Sequence, residues 1–269
     1  MTSALRYEAL DPLRHDPARA AILLDIDGTL SPIVEEPSEA HVSEGTRQLL
    51  IEISRRYGVV ACVSGRRASE ARAMVSIGTI SYLGSHGAEL LRAGWTTPVL
   101  DPRLEGWRRR IQEFGAAADT PQLRRHRIRL EDKGAIVAFH WRGARDEVAA
   151  RTAIDEVAAQ AEAAGLKTHW GRKVLEVRPP VQIDKGAGIA NLLADVDADV
   201  DAALYVGDDV TDLDAFDRLG RLLAEGRLSH VVRVGVRSDE GPQEIVSQAD
   251  IVVDGTAGVR DLLALLIER

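Results

Sequence analysis

The hydrophobic positions of this chain form short, nearly continuous apolar runs that alternate with helical patterns. Six such runs read AAILLDI, GVVACVSG, ISYLGSHG, ALYVGDD, HVVRVGV and ADIVVDG. Runs rich in Val, Ile, Leu and Ala without polar alternation are typical of parallel strands that are covered on both faces. Helical spacing follows at residues 44–57, 212–225 and 259–267. The alternation predicts an α/β fold with a doubly wound, mostly parallel, Rossmann-like sheet.

The middle of the chain breaks this rhythm. Two long strand-like segments, residues 127–141 and 167–177, flank an Ala-rich helical segment at 144–164, and a further helix is expected near Trp107. This pattern predicts an α+β cap domain that is inserted into a core domain. We place the cap at residues 102–179 and the core at residues 1–101 and 180–269.

Polar side chains follow several of the predicted strands at the points where the strands end. Asp25 and Asp27 follow the first strand, and Ser64, Gly65 and Arg66 follow the second. A later strand runs into a loop with three acids, which are Asp208, Asp209 and Asp212. Because ligands bind at the carboxyl ends of the strands in a doubly wound sheet, we expect these side chains to share one site.

Carboxylates that are gathered in a small space cannot all stay ionised without a cation. Lys185 opens the helix that precedes the acidic loop, but it supplies a single positive charge. An all-oxygen site suits Mg²⁺, which keeps several waters and accepts one or two carboxylates together with phosphate. The sequence therefore predicts Mg²⁺ as a cofactor.

Four short motifs carry this chemistry: Asp25-Ile26-Asp27-Gly28-Thr29, Ser64, Lys185 and Gly207-Asp208-Asp209-x-x-Asp212. In type and order they resemble the motifs of the haloacid dehalogenase superfamily of phosphotransferases. The resemblance implies that Asp25 is a nucleophile that forms an aspartyl-phosphate, while Asp27 serves as general acid and then general base. It also implies that Ser64 and Lys185 hold the transferring phosphoryl group.

The same resemblance implies three metal ligands. They are the carboxylates of Asp25 and Asp208 and the backbone carbonyl of Asp27. Gly28 follows Asp27 directly and permits a tight turn, so we expect the strand to break into a loop at Ile26–Asp27.

Three more polar residues are expected to surround the ligands. They are Thr29, Asp209 and Asp212, and the last two would orient metal-bound water and Lys185. An alternative for Asp212 is a helix N-cap, and the two roles are compatible.

Longer stretches resemble the trehalose-6-phosphate phosphatase family. They are GSHGAE at 84–89, LEDKG at 130–134, LEVRP at 175–179 and GDDVTDLDAF at 207–216. One departure is Leu213, where the family usually has Glu. The resemblance runs from about residue 21 to the C-terminus, and it implies Mg²⁺-dependent hydrolysis of trehalose 6-phosphate to trehalose and phosphate in trehalose biosynthesis.

The cap stretches contain the candidates for sugar binding. By resemblance these are Glu131, Lys133 and Glu176, since carboxylates accept hydrogen bonds from hydroxyl groups and lysine donates them. The alternative is a surface strand with a local ion pair. His86 and His140 are further candidates, and a structural histidine is an equal alternative for each. The candidates on the phosphate side are Ser64, Gly65 and Arg66.

Composition narrows the classes of partner. The net charge of −8 and the pI of about 5.4 argue against nucleic-acid binding. The chain has no apolar run that approaches the roughly 18 residues of a membrane span, and its first twenty residues lack the apolar stretch of a signal peptide. Cys62 is the only cysteine, which fits a reducing cytoplasm. We expect a small-molecule substrate and no obligate protein partner.

Several alternatives stay open at this point. Within the superfamily they are a sucrose-phosphate or glycosyl-phosphoglycerate phosphatase and a phosphomutase, since fold alone does not define the substrate. Outside the enzymes, the alternative is a sugar-phosphate sensor. A sensor would usually lose Asp25 or Asp27, and this chain keeps both.

Overall fold

The structure is a computed structural model that describes residues 8–34, 40–196, 199–238 and 241–268. Residues 1–7, on which the absence of a signal peptide partly depends, lie outside the described residues. The chain divides into two compact units: a core unit, within Met1–Val99 and Ile183–Arg269, and a cap unit, Leu100–Gln182. The division into two domains with the boundaries given above stays a prediction.

The strands of the described residues form two sheets. In chain order they are β1 Ala20–Asp25, β2 Val59–Val63, β3 Ser81–Gly84, β4 Glu89–Leu91, β5 Val99–Leu100, β6 Arg129–Asp132, β7 Val137–His140, β8 Lys167–Gly171, β9 Val174–Arg178, β10 Ala202–Gly207, β11 His230–Arg237 and β12 Ile251–Asp254. The eight-stranded sheet has the order β12-β11-β10-β1-β2-β3-β4-β5, and the four-stranded sheet has the order β6-β7-β9-β8.

The larger sheet confirms the predicted fold class. All neighbours from β12 to β3 pair in parallel, and β4 joins β3 in the antiparallel direction. β1 lies between β10 and β2, with Leu24 opposite Val206 and Asp25 opposite Val63. The carboxyl ends of these three strands therefore lie side by side, where a doubly wound sheet binds its ligands.

The helices of the described residues cover this sheet and build much of the cap unit. They are α1 Asp11–His15, α2 Glu44–Ser54, α3 Ala68–Val75, α4 Glu105–Ala118, α5 Pro121–Arg125, α6 Glu147–Ala163, α7 Lys185–Asp195, α8 Leu213–Ala224, α9 Gln243–Gln248 and α10 Gly255–Ile267. α2 ends three residues before its predicted end, because the N–H groups of Arg55 and Arg56 bond to carbonyls three residues earlier. Among the described helices, none has the length and apolar character to cross a bilayer.

Apolar packing on both faces of the sheet explains the continuous hydrophobic runs. In β1, Ile22 and Leu24 belong to one apolar cluster, and Ala21 and Leu23 belong to another. Cys62 lies fully buried in the first of these clusters, and burial raises the pKa of its thiol. It therefore packs as a small hydrophobic residue, as the sequence indicates.

The predicted long strands of the cap unit are hairpins, so the prediction of single strands was wrong. Residues 127–141 contain β6 and β7, and residues 167–177 contain β8 and most of β9. Each hairpin reverses next to a left-handed residue, Gly134 with φ +85° and Lys173 with φ +58°. The helix predicted near Trp107 is α4, and the Ala-rich helix is α6, so both helices are confirmed.

The two faces of the cap sheet differ in polarity. Ala138 lies opposite Glu131 on one side and Glu176 on the other, and Glu176 lies opposite His169. Residues that lie opposite one another share a face, so this face is polar. The other face packs against α4 and α6 through Val137, Phe139, Leu175 and Val177.

Candidate active site

The two acids that follow the first strand occupy different environments. β1 ends at Asp25, which is buried, and Asp27 lies in the loop beyond it with 39% of its side chain exposed. The N–H groups of Thr29, Leu30 and Ser31 all bond to the carbonyl of one residue, Ile26. The strand therefore breaks where the sequence predicts, and the two carboxylates are not equivalent.

Gly28 is the residue that allows this turn. Its φ is +89°, a conformation that residues with a Cβ rarely adopt. A Cβ placed on Gly28 would lie 2.0 Å from Oδ2 of Asp208. The glycine thus brings the loop backbone against the acidic end of β10. The hydroxyl of Thr29 completes this contact by donating to Oδ1 of Asp208 at 3.2 Å.

Lys185 reaches Asp25 from the N-terminus of α7. The side chain of Asp184 caps this helix by accepting a hydrogen bond from the N–H of Ala187 at 2.6 Å. The buried Nζ of Lys185 lies 2.5 Å from Oδ1 of Asp25 and 2.6 Å from Oδ1 of Asp212. One ammonium group therefore links carboxylates from β1 and from the loop after β10.

Asp212 is fully buried, and both of its oxygens are occupied. Oδ1 accepts from Lys185 and from the hydroxyl of Tyr205, and Oδ2 accepts from the N–H groups of Asp208 and Asp209. A carboxylate has about four lone-pair sites. Asp212 thus uses its acceptor capacity within the protein.

The predicted N-cap role of Asp212 needs a correction. Its side chain caps no backbone group of α8. It instead reaches back to the start of the short 3₁₀ turn Val210–Asp212, in a reciprocal capping box with Asp209. Asp209 and Asp212 were both predicted to orient Lys185. The carboxylate of Asp209 accepts from the N–H of Val210 at 2.7 Å. Lys185 donates to Asp25 and Asp212, so Asp212 makes the predicted contact with the lysine.

The electrostatics of the cluster reflect a surplus of negative charge. Burial, with the charges of Asp212 and Asp208, raises the pKa of Asp25 well above its usual value, although Lys185 opposes the shift. Burial and the Asp212 charge likewise raise the pKa of Asp208 to about 7. Burial lowers the pKa of Lys185, but Asp212 and Asp25 outweigh it, so the net pKa is raised and the lysine stays charged.

The residues of this cluster fit a divalent cation. Asp25, Asp208 and Asp212 each present a carboxylate oxygen, and these oxygens lie within 4.8 Å of one another. Because the four donors already occupy Asp212, the oxygens suited to a metal are those of Asp25 and Asp208. An all-oxygen set with excess negative charge suits Mg²⁺.

Ser64 and Arg66, which follow β2, form two contacts near the end of β1. Ser64 is buried, and its Oγ accepts from the N–H of Arg66 at 3.1 Å. The guanidinium of Arg66 donates to both oxygens of Asp27, at 2.8 and 2.7 Å. This two-point contact fixes the orientation of the Asp27 carboxylate. This pairing could not be predicted from the sequence, since the two residues lie 39 positions apart.

His86 stands in an unusual turn after β3. Ser85, His86 and Gly87 all have positive φ, at 50°, 58° and 95°. A Cβ on Gly65 would lie 2.9 Å from the imidazole of His86, so the ring packs against the glycine backbone. The turn therefore lies beside the residues that follow β2. Strained backbone of this kind is concentrated at functional sites, which supports His86 as a candidate site residue.

The cap unit holds the remaining candidates on the polar face of its sheet. Glu131 contacts Nε2 of His140 at 2.6 Å, and this hydrogen bond lowers the pKa of Glu131. Lys133 donates to Oε1 of the buried Glu176 at 3.0 Å. Arg178, which was not among the predicted site residues, donates to Oε2 of Glu176. Its position two residues after Glu176 on one strand was the available signal.

Comparisons with known proteins agree with this fold. A haloacid dehalogenase-like hydrolase from Bacteroides thetaiotaomicron aligns with a TM-score of 0.61, covering 91% of this chain and 98% of its own. The two chains are 14% identical, so the likeness shows the fold alone. It assigns the chain to the haloacid dehalogenase-like fold class.

The comparisons also identify the family of this chain. The family model for trehalose-phosphatase matches residues 23–251, and the chain belongs to this family. A protein of Mycobacterium marinum named trehalose-phosphate phosphatase is 35% identical over 221 residues, which is 75% of this chain. The chain spans about half of that relative, 52%. A solved trehalose-6-phosphate phosphatase related protein has a TM-score of 0.65 at 25% identity, covering 91% of this chain and 96% of its own.

Proposed function

We propose that this protein is a Mg²⁺-dependent phosphatase that hydrolyses trehalose 6-phosphate to trehalose and phosphate. One observation carries the proposal: Lys185 holds the buried Asp25 at the end of β1, next to a surplus of carboxylates. A nucleophilic oxygen, a cation for the phosphoryl group and ligands for a metal are what phosphoryl transfer requires. The family and its named relatives support the substrate.

In the first step, a carboxylate oxygen of Asp25 attacks phosphorus, and the bond from phosphorus to the sugar oxygen breaks. Asp27 donates a proton to the departing sugar oxygen. The hydroxyl of Ser64 and the ammonium of Lys185 donate hydrogen bonds to the phosphoryl oxygens. The products of this step are trehalose and an aspartyl-phosphate on Asp25.

In the second step, water attacks the phosphorus of the aspartyl-phosphate. Asp27, now a carboxylate, accepts a proton from this water. The bond between phosphorus and the Asp25 oxygen breaks, which releases phosphate and restores the Asp25 carboxylate. The contact with Arg66 orients the ionised Asp27 for this second transfer. A substrate-binding role for Arg66 and Gly65 stays a prediction.

Asp25 and Asp208 would hold Mg²⁺, together with the backbone carbonyl of Asp27 that the family implies. When bound, the ion neutralises negative charge on the phosphate and the carboxylates. Thr29 holds the Asp208 carboxylate by its hydrogen bond, and Asp212 holds the backbone of Asp208. These two contacts orient Asp208 before any ligand binds.

We propose that the polar face of the cap sheet binds the hydroxyl groups of the sugar. Glu131, Lys133 and Glu176 supply acceptors and donors, and His140 orients Glu131. These groups are already paired with one another, so a neutral polar ligand exchanges hydrogen bonds with them without adding charge. The substrate contact predicted for His86 rests on its place in the turn after β3.

The test is a panel of sugar phosphates assayed for released phosphate with Mg²⁺. Trehalose 6-phosphate, sucrose 6-phosphate, glucose 6-phosphate and a glycosyl phosphoglycerate are compared at equal concentrations. We expect the largest kcat/KM for trehalose 6-phosphate. A larger value for another member would reassign the substrate, and conversion of a sugar phosphate into its isomer without phosphate release would indicate a mutase.

A further inference from the structure

Tyr205 belongs to none of the motifs in the sequence, and its position reads as an ordinary core residue of β10. The side chain is fully buried, and its ring packs edge-to-face against Phe216, with 6.1 Å between the ring centroids. Its hydroxyl donates to Oδ1 of Asp212 at 2.5 Å. A buried tyrosine thus connects the apolar core to the carboxylate that holds Lys185.

The contacts of Asp212 show what this hydroxyl does. Two backbone N–H groups, from Asp208 and Asp209, fix Oδ2 at 3.0 and 2.9 Å. Oδ1 is shared between Tyr205 at 2.5 Å and Lys185 at 2.6 Å. The carboxylate is therefore anchored at one oxygen, and the two side-chain donors set the orientation of the other.

We propose that Tyr205 is a positioning residue, whose hydroxyl fixes Asp212 so that the Lys185 ammonium is divided between Asp212 and Asp25. This inference rests on the proposed function, in which Lys185 binds the phosphoryl group beside Asp25. Without the hydroxyl, Oδ1 of Asp212 has Lys185 as its remaining side-chain donor. The ammonium would then move toward Asp212 and away from its contact with Asp25 at 2.5 Å.

A purely structural tyrosine would behave differently, and the chain offers a matched control. Tyr82 in β3 is also fully buried, and its hydroxyl donates to a backbone carbonyl, that of Ile77, at 2.6 Å. Tyr82 and Tyr205 lie in different apolar clusters. Tyr82→Phe therefore removes an equally buried hydroxyl whose partner, the carbonyl of Ile77, does not belong to the Lys185 cluster.

The experiment measures kcat, KM and melting temperature for wild type, Tyr205→Phe and Tyr82→Phe. The substrate is the phosphate ester that wild type hydrolyses fastest. In Tyr205→Phe we expect kcat to fall about 10- to 100-fold, with KM within about twofold. Losses of this size are typical when a residue that orients a reacting group through a hydrogen bond is removed. Both variants should lower the melting temperature to a similar extent, and Tyr82→Phe should keep the wild-type kcat. An unchanged kcat in Tyr205→Phe, or an equal loss in Tyr82→Phe, would overturn the proposal.

A second measurement separates this proposal from the proposed function. Crystal structures of wild type and Tyr205→Phe should show that Lys185 Nζ moves away from Asp25 in the variant, whatever substrate the enzyme uses. An unmoved Nζ would contradict the positioning role even if the activity changed. Failure of the proposed function would instead appear in wild type, as the absence of phosphate release from every ester in the panel.

Discussion

The core unit and the cap unit both bury carboxylates, but they balance the charge in different ways. In the cap unit, Glu176 has two cationic partners, Lys133 and Arg178. In the core unit, Asp25 and Asp212 share the single ammonium of Lys185. Asp208 accepts from the neutral hydroxyl of Thr29, and its pKa is raised to about 7.

This difference would suit the two clusters to two different kinds of ligand. Buried charges without sufficient partners are unfavourable until a ligand compensates them. The core cluster therefore favours a cation and phosphoryl chemistry. The paired charges of the cap sheet present donors and acceptors with little excess charge, which suits a neutral, hydroxyl-rich ligand. Single substitutions in each unit, and the removal of Mg²⁺, can test this contrast.

The largest effect is expected for Asp25→Asn. The amide removes the nucleophilic oxygen, so kcat should fall by on the order of 10⁴-fold or more. The measurement is the steady-state rate of phosphate release with Mg²⁺. Asp217→Asn is the control, because Asp217 forms an exposed ion pair with Arg221. Retention of a rate within tenfold of wild type by Asp25→Asn would eliminate the nucleophile assignment.

Asp27→Asn should have the next largest effect. Loss of the general acid and base is expected to lower kcat about 10²- to 10⁴-fold. Because the proposed metal contact of Asp27 is its backbone carbonyl, the rise in melting temperature on adding Mg²⁺ should be retained. A variant that loses its response to Mg²⁺ would show that the Asp27 side chain belongs to the metal site.

The cap is tested by Glu131→Gln. We expect kcat/KM for trehalose 6-phosphate to fall about 10- to 100-fold, since a hydrogen bond to a charged group contributes about 1.5–3 kcal/mol. The rate with p-nitrophenyl phosphate, which has no sugar, should be unchanged. Glu162→Gln is the control, because Glu162 is an exposed cap carboxylate on α6. Equal losses with both substrates would refute a role in sugar binding.

The smallest effect concerns pH and stability. The pKa of Asp208 in the folded protein, about 7, exceeds its unfolded value of about 3.9. Such a group stabilises the metal-free fold below the unfolded pKa, and this contribution is lost as the pH rises toward 7. With EDTA, the free energy of unfolding attributable to this site should therefore be lower at pH 8 than at pH 5.

Mg²⁺ should reverse this loss at pH 8, because it binds the ionised carboxylates. At a hundred times its Kd, the ion adds about 2.7 kcal/mol, which raises the melting temperature by several degrees. At pH 5 protons compete with the ion and the rise should be smaller. Thermal denaturation with EDTA or Mg²⁺ at both pH values is the measurement. A rise of equal size in Asp208→Asn would show that the ion acts elsewhere.

The strands of the core unit could be predicted from the sequence because their hydrophobic pattern is unambiguous. β1, β2 and β10 are buried along their whole length, so every position is apolar until the polar strand end. The cap strands were harder, since β6 is largely exposed and polar. Its hairpin turns at Gly134-Ala135, which is not the Asn-Gly or Asp-Gly pair that predicts a two-residue turn.

The candidate site residues that belong to recognisable sequence motifs could be predicted. Two side-chain contacts could not be predicted from the motifs: the Arg66–Asp27 pair, 39 positions apart, and the hydroxyl of Tyr205 on Asp212, seven positions apart. A tyrosine inside an apolar strand looks like any core aromatic. The available signal was that a buried hydroxyl needs a partner, and that acids follow three residues later.

The central claim is that the core cluster is a Mg²⁺-dependent phosphatase site. It is tested most directly by the initial rate of phosphate release from trehalose 6-phosphate, measured first with Mg²⁺, then after EDTA, then after Mg²⁺ is restored. We predict release that EDTA abolishes and restored Mg²⁺ recovers. An absence of release with Mg²⁺, or a rate that EDTA leaves unchanged, would contradict the account.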